Sequence, residues 1–428
     1  MLDRNWFTRL ASLSLGAALA ATPVLAADVV SSYWPEFHGP KRDNISVDQG
    51  LLKDWKTAPR LVWQAKTVGA GYSSVSVVNG KVFTAGDEGD SSYVFALNAT
   101  DGSEVWKAKL GKPGGGSGYA GPRATPTVDG ESIYMISQFG DVVAYRAADG
   151  NELWRKNLNT DLGGRMASGW GNSESLVVEG DKIICTPGGR QGTMAALNKK
   201  TGEVVWRSAK LTDAAAYMAP VIVEFGGVRQ AITLTHQSVA GVNVADGALL
   251  WRADRPGQTA VIPTPIVHTD KANPNVAHVF TTSGYGVGCD LFKVTADGGN
   301  FSAAKAYSNK NMVNHHGGVI LLDGCVYGHS EGKGWTCVDL QSGETKWKDK
   351  DLLGKGTISY ADGRFYLRDE RSGDIVLLEA TPDKHEERGR LKQPDRSGKN
   401  AWPHLVISNG KLFIRDQGNL FCYDIKAK

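Results

Sequence analysis

The chain has 428 residues, 41% hydrophobic and 22% charged, with 52 glycines and 12 tryptophans; 48 basic against 45 acidic residues leave a net charge of +3. This is the composition of a globular protein rich in turns and strands, not of a disordered or collagen-like chain. No basic block is present, which argues against nucleic acid or an anionic membrane as partner. After residue 26 no apolar run reaches 18 residues, so no transmembrane helix is expected.

Arg4 and Arg9 precede the apolar run from Leu10 to Ala21, and Val24-Leu25-Ala26 offers small residues for cleavage. Residues 1–26 therefore read as a secretory signal peptide, which predicts a periplasmic or secreted protein. The two arginines are not adjacent and no Cys lies near the cleavage site, so neither a twin-arginine signal nor a lipoprotein anchor is expected. Residues 27–57 read as an irregular arm centred on Trp34-Pro35-Glu36-Phe37-His38-Gly39-Pro40-Lys41-Arg42-Asp43, its aromatics packed across one face of the body. Pro59 to Val68 follows as a strand containing Trp63.

Residues 58–428 are organised by a recurring unit, Ala96-Leu97-Asn98-Ala99-Thr100-Asp101-Gly102-Ser103-Glu104-Val105-Trp106: a small residue, Gly six positions on, and Trp four after that. The frame returns at Ala144/Gly150/Trp154, Ala196/Gly202/Trp206, Gly241/Gly247/Trp251 and Cys337/Gly343/Trp347. Trp106, Trp154, Trp206 and Trp251 stand 48, 52 and 45 residues apart, the length of one four-stranded propeller blade. Each unit ends one strand, turns on its glycine and opens the outermost strand, whose Trp fills the wedge between splaying blades while its N–H meets a backbone carbonyl.

Eight segments share the order of a small-residue-rich strand, a turn, two further strands and the Trp unit, which predicts an all-β, eight-bladed propeller of antiparallel sheets. The expected innermost strands are Ser73–Val77, Ala124–Val128, Ser173–Val178, Ala219–Val223, Thr264–Val267, Gly317–Leu321, Gly356–Tyr360 and Pro403–Ile407. Two Trp units are degenerate, and counting along the chain puts their docking positions at Ser302 and Glu387. The last unit begins at Cys422-Tyr423-Asp424 and is cut short at Lys428, so the Trp63 strand is expected to complete the final blade and remove its open edge. The five cysteines, 185, 289, 325, 337 and 422, are expected to be buried reduced thiols. A hairpin centred on Glu331–Gly334 would set Cys337 opposite Gly328 rather than Cys325.

The Ala-Leu-Asn…Asp-Gly…Trp repeats resemble the tryptophan-docking motif of the quinoprotein alcohol dehydrogenase-like propellers, a group that includes pyrroloquinoline quinone (PQQ) dehydrogenases and the outer-membrane assembly factor BamB. Trp34–Asp43, Thr186-Pro187-Gly188-Gly189, Asn314-His315-His316-Gly317-Gly318 and Lys399–His404 are similar to exported PQQ-binding-like propeller repeat proteins. The resemblance implies an oxidoreductase with PQQ, and calcium beside it, or else a non-catalytic scaffold binding a protein or glycan of the cell envelope. Two departures are plain: there is no vicinal Cys-Cys pair and no anchoring Cys. No Cys-x-x-Cys-His is present either, so no haem is expected.

In a propeller the residues just before each innermost strand converge on one mouth of the axial channel. Those positions hold Tyr72, Arg123, Trp170, Asn172, Tyr217, His315, His316, Lys355, Trp402 and His404, a cationic and aromatic set almost free of acids. Such a set suits a planar anion that stacks and accepts charged hydrogen bonds, as PQQ would. Tyr72, Arg123, Trp170, Asn172, Lys355, Trp402 and His404 are the candidate ligand contacts. Either His315 or His316 is the candidate general base near neutral pH. The bland alternatives stand beside these: Arg123 and Lys355 as partners of blade-edge carboxylates, and a histidine held by backbone at Gly317-Gly318. Asn172 with Glu174, or Asp87, Glu88 and Asp90, would begin a calcium shell, but neither completes one. A monomer with a small-molecule ligand in its axial channel, or an envelope protein as partner, is the expected state.

Overall fold

The computed structural model describes residues 33–270 and 272–427, so the expected signal peptide lies outside the described residues. The described residues form eight antiparallel sheets, seven of four strands and one of five, each in simple up-and-down order around one axis. The last sheet closes the ring as expected: Arg60–Ala65 pairs antiparallel with Asn419–Asp424, setting Trp63 opposite Cys422. Velcro-like pairing of the two chain ends leaves no blade edge open at the seam.

The outermost strands show what the repeated unit does. Gly102, Gly150, Gly202 and Gly247 all take positive φ, and a Cβ on each would stand 2.5–2.6 Å from Cε3 of Trp63, Trp106, Trp154 and Trp206 respectively. Thus the Gly and Trp of one unit never meet; each Trp docks on the glycine of the next blade. The indole N–H groups donate to carbonyls of that blade, Trp63 to Ala99 at 3.0 Å, Trp106 to Ala147 at 3.2 Å, Trp154 to Lys199 at 3.0 Å and Trp206 to Val244 at 2.8 Å. Trp251 differs, donating to Gln230 Oε1 of its own blade at 2.9 Å.

The two degenerate positions are corrected by the register. In the regular blades the docking Trp lies opposite the small residue just before a bulge, as Trp106 does to Ala96. By that rule blade 5 uses Tyr307, opposite Leu291, and not Ser302. Its ring lies 2.8 Å from a Cβ placed on Gly343, and its hydroxyl donates to the Leu340 carbonyl at 2.9 Å. Blade 7 has Gly389 there, opposite Leu377, and not Glu387. The missing aromatic comes from the arm: Trp55 bridges Gly389 and packs with Tyr366, Leu405, Ile407 and Leu412 between blades 7 and 8.

The innermost strands begin later than expected in seven blades: Ser76–Val78, Thr127–Asp129, Val177–Glu179, Val221–Phe225, Ile266–Asp270, Ile320–Leu322 and Val406–Ser408; only Gly356–Ala361 starts where anticipated. The residues ahead of them join no ladder. The arm also departs from a simple surface strap. Ile45–Ser46 adds a fifth, parallel strand to blade 7 against Tyr360 and Ala361, Trp34 bridges Val77, and Phe37 and His38 reach the axial channel. All five cysteines are buried and unbonded. Cys337 faces Tyr327, one residue away from the expected Gly328, because the hairpin turns at Glu331–Lys333.

Candidate functional site

An axial cavity of about 420 Å³ is lined by Tyr72, Arg123, Trp170, Tyr217, His315, His316, Lys355, Trp402 and His404. Residues spread over more than 300 positions of sequence meet here because every blade feeds one inner-strand approach to the same axis. Asn172 is the exception among the candidates: it does not line the cavity, and its buried backbone N–H donates to the Gln138 carbonyl at 3.0 Å. Phe37 and His38 of the arm, Tyr119, Tyr285 and Glu370 line it too, and sequence reasoning missed all five. The expectation of a mouth almost free of acids is therefore corrected by Glu370. That residue follows the second strand of blade 7, not the first, so no inner-strand rule could find it.

Glu370 is the hub of one wall. Its Oε2 accepts from His316 Nε2 at 2.7 Å and from Trp402 Nε1 at 3.0 Å, and its Oε1 accepts from Lys355 Nζ at 3.0 Å. Burial alone would raise this carboxyl, but the hydrogen bonds and charge supplied by His316 and Lys355 prevail and hold it at about 2. Lys355 also donates to His315 Nδ1 at 2.8 Å. An ammonium has only donors, so that nitrogen is bare and the ring proton sits on Nε2, which meets the Tyr285 hydroxyl at 2.8 Å. The Tyr285 O–H is then left free to donate. Tyr285 is held at φ 57°, a region non-glycine residues rarely occupy, in the turn Gly284-Tyr285-Gly286.

His315 and His316 both reach the cavity, their rings 5.2 Å apart, because the segment is irregular and not a strand with alternating faces. Burial, then His316 and Lys355, pushes His315 down to about 3. That shift runs against the neutral-pH base role expected of it, and its two ring nitrogens link Lys355 to Tyr285. His404 is likewise lowered to about 3 by burial and by His316; Asn44 Nδ2 donates to its Nδ1 at 3.2 Å.

The aromatic walls are built from distant loops. Trp402 lies between Tyr72 and Tyr119, with ring centroids 4.8 Å from each, and Trp170 stands 6.2 Å from Tyr217. Arg123 is turned inward against this wall and spends its two terminal nitrogens on the Trp170 and Tyr119 carbonyls, both at 2.7 Å.

Among the described residues no three His, Cys, Asp or Glu side chains are grouped to hold a metal ion. Most of the oxygen groups considered for calcium are engaged elsewhere: Asp87 Oδ2 accepts from Gly114 N at 2.6 Å, Glu88 pairs with Lys107 at 2.9 Å, Ser91 donates to Asp90 at 3.0 Å, and Glu174 Oε1 accepts from Thr186 N at 2.8 Å while its buried Oε2 has no hydrogen-bond partner.

Known proteins place this architecture. No curated protein matches the sequence. Solved structures that share the fold include BamB from Moraxella catarrhalis, 14% identical, TM-score 0.59, over 83% of this chain and 95% of that one. The quinohemoprotein alcohol dehydrogenase from Comamonas testosteroni is 11% identical, TM-score 0.65, over 92% and 81%. A europium-containing methanol dehydrogenase is 10% identical, TM-score 0.62, over 90% and 89%. A family model described as "Outer membrane protein assembly factor BamB" matches residues 90–349, well over half the chain, and the chain belongs to this family of PQQ-like propeller proteins.

Proposed function

We propose that this is an exported propeller of the cell envelope, with residues 1–26 removed on export, whose axial cavity binds a small organic molecule. The observation that carries the reading is the convergence of Arg123, Trp170, His315, His316, Lys355, Glu370 and Trp402 on one cavity. A channel needing only solubility has no use for an aromatic wall facing a buried acid–base array. Lys355, His315 and Tyr285 give the array a chemical capacity: the ammonium polarises the imidazole, which supports Tyr285 as a proton donor to a ligand oxygen. The test is release of a small molecule on denaturing protein purified from its native envelope, read by mass spectrometry. Wild type should yield one, and an Ala260→Trp variant that fills the cavity should not; an empty wild type with every added small molecule failing to bind would overturn the reading.

PQQ, which the family resemblance implies, fits the donor set poorly. Three ligand carboxylates would meet Arg123 and Arg371, with the Lys355 charge already answered by Glu370, and among the described residues no three His, Cys, Asp or Glu side chains are grouped for a metal ion. Reconstitution with PQQ and calcium is expected to give no chromophore that Trp402→Ala abolishes, and an absorbance scan decides.

A second reading, a scaffold for an envelope protein, draws on the outer rim. Leu61, Val105, Leu153, Val204 and Val205 are exposed aliphatics beside the docking tryptophans of four consecutive blades, 8, 1, 2 and 3. If that row is an interface, Val105→Lys and Leu153→Lys abolish co-purification of a partner while leaving stability within about 0.5 kcal/mol. Retention of the partner by both variants removes this reading.

A further inference from the structure

The hydrogen-bonding capacity left over at the cavity wall identifies the class of ligand. Glu370 offers about four lone-pair sites and three are taken, leaving one on Oε1. Lys355 uses two of its three donors. Arg123 uses two of five N–H groups. Tyr285 keeps its hydroxyl proton. Deeper in the same cavity, His38 Nε2 and Thr125 Oγ1 have no partner although the two residues are only 8% and 1% exposed. A buried polar atom left unpaired is destabilising, so these atoms point to a ligand that satisfies them.

The wall therefore presents acceptors and donors side by side, its cations Arg123, Lys355 and Arg371 set with the single carboxylate of Glu370, against flat aromatic faces. A polycarboxylate only accepts, and would set its oxygens against Glu370. A hydroxyl group both donates and accepts, and the C–H face of a saturated ring can lie on the half-buried indole of Trp170 or the Trp402 wall. The volume suits it: 420 Å³ is the space of about 14 waters, room for one six-membered ring with its substituents.

We infer that the cavity binds a cyclic polyol, a sugar or cyclitol carrying at most one carboxylate, held through its hydroxyls by Glu370, Lys355, Tyr285 and Thr125. Any single carboxylate goes to the unused N–H groups of Arg123. This rests on the small-molecule reading above and names its ligand class.

The test is calorimetric titration and tryptophan-fluorescence titration of the full-length mature protein with D-glucose, D-galactose, D-glucuronate and myo-inositol, alongside citrate and PQQ. At least one polyol is expected to bind, and Glu370→Gln and Trp402→Ala should each weaken it tenfold or more, on the order of the loss of a charged hydrogen bond or a stacking face. Should either variant fold poorly, Tyr285→Phe, on an exposed turn, is expected to keep the wild-type melting temperature and weaken binding about fivefold, the worth of one neutral hydrogen bond. Binding of citrate or PQQ with no response to any polyol overturns the ligand class and leaves the small-molecule site standing. Polyol binding that all three variants leave unchanged overturns this site for it. Silence from every probe, together with no molecule released from the native protein, overturns both.

Discussion

The outer rim and the axial mouth of this ring obey opposite rules. At the rim, one device is repeated: a Trp of one blade covers a positive-φ glycine of the next and donates to its carbonyl, four times in succession from Trp63 to Trp206. Where the device fails, an aromatic is still supplied, Tyr307 within blade 5 and Trp55 from the arm. At the mouth no position repeats from blade to blade, and the polar groups are joined across blades in contacts made once, His316 to Glu370, Lys355 to His315 and Arg123 to the Trp170 carbonyl. Repetition marks a packing requirement common to all wedges; irregularity marks a site whose chemistry is not repeated.

The largest break between the two regions should come from acid. His315 and His404, each held at about 3, and His329, at about 4, must be neutral in the fold, mainly because burial disfavours their charge. Their stabilisation is present above the ordinary 6.5 and lost as pH falls through it towards 3. Glu36 and Glu174, raised to about 7 chiefly by burial, act in the opposite sense: their folded forms hold a proton that the unfolded chain releases above 4.5. Between pH 6.5 and 4.5 the two glutamates offset only part of the loss from these three histidines and from His38, also lowered by burial. Below 4.5 the glutamates add nothing more, the histidine loss continues, and Glu370, held at about 2, joins it. Denaturant midpoints should thus fall moderately from pH 6.5 to 4.5 and more steeply from 4.5 to 3; a flat profile to pH 3 would contradict the neutral mouth.

Removing a docking aromatic comes next. Trp106→Ala should cost about 3–5 kcal/mol in chemical denaturation, since a buried wedge side chain leaves a cavity behind, with no change in the cavity-bound ligand's affinity per folded molecule. A smaller effect separates the two halves of the unit. Gly150→Ala places a Cβ 2.6 Å from Cε3 of Trp106 at φ +75°, whereas Gly180→Ala, at φ +59°, meets nothing within 4 Å. Both carry the left-handed penalty of about 1–2 kcal/mol, and only Gly150→Ala should exceed it. The smallest is Tyr307→Phe, which keeps the wedge filled and loses one hydrogen bond, about 1 kcal/mol.

The blade count, the sheet order and the closing role of Trp63 were all legible in the sequence, because a wedge that recurs every 45 to 52 residues imposes the same small residue, glycine and tryptophan each time. Nine of the cavity's residues were legible for a related reason, since the loop before an inner strand has nowhere to go but the axis. Counting failed at Ser302 and Glu387 because strand length and bulges, not residue number, set which side chain faces the wedge.

By itself, then, the amino-acid order determined the repeated scaffold, which depends on contacts between neighbours in a periodic pattern. Tertiary structure alone decided that Glu370 binds His316, Lys355 and Trp402, that His315 is a neutral link to Tyr285, and that the arm brings Phe37 and His38 to the axis and Trp55 to the last wedge. Those contacts join residues 15 to more than 300 positions apart, once each. A contact made once leaves no period to read, and only the closed ring brings its two ends together.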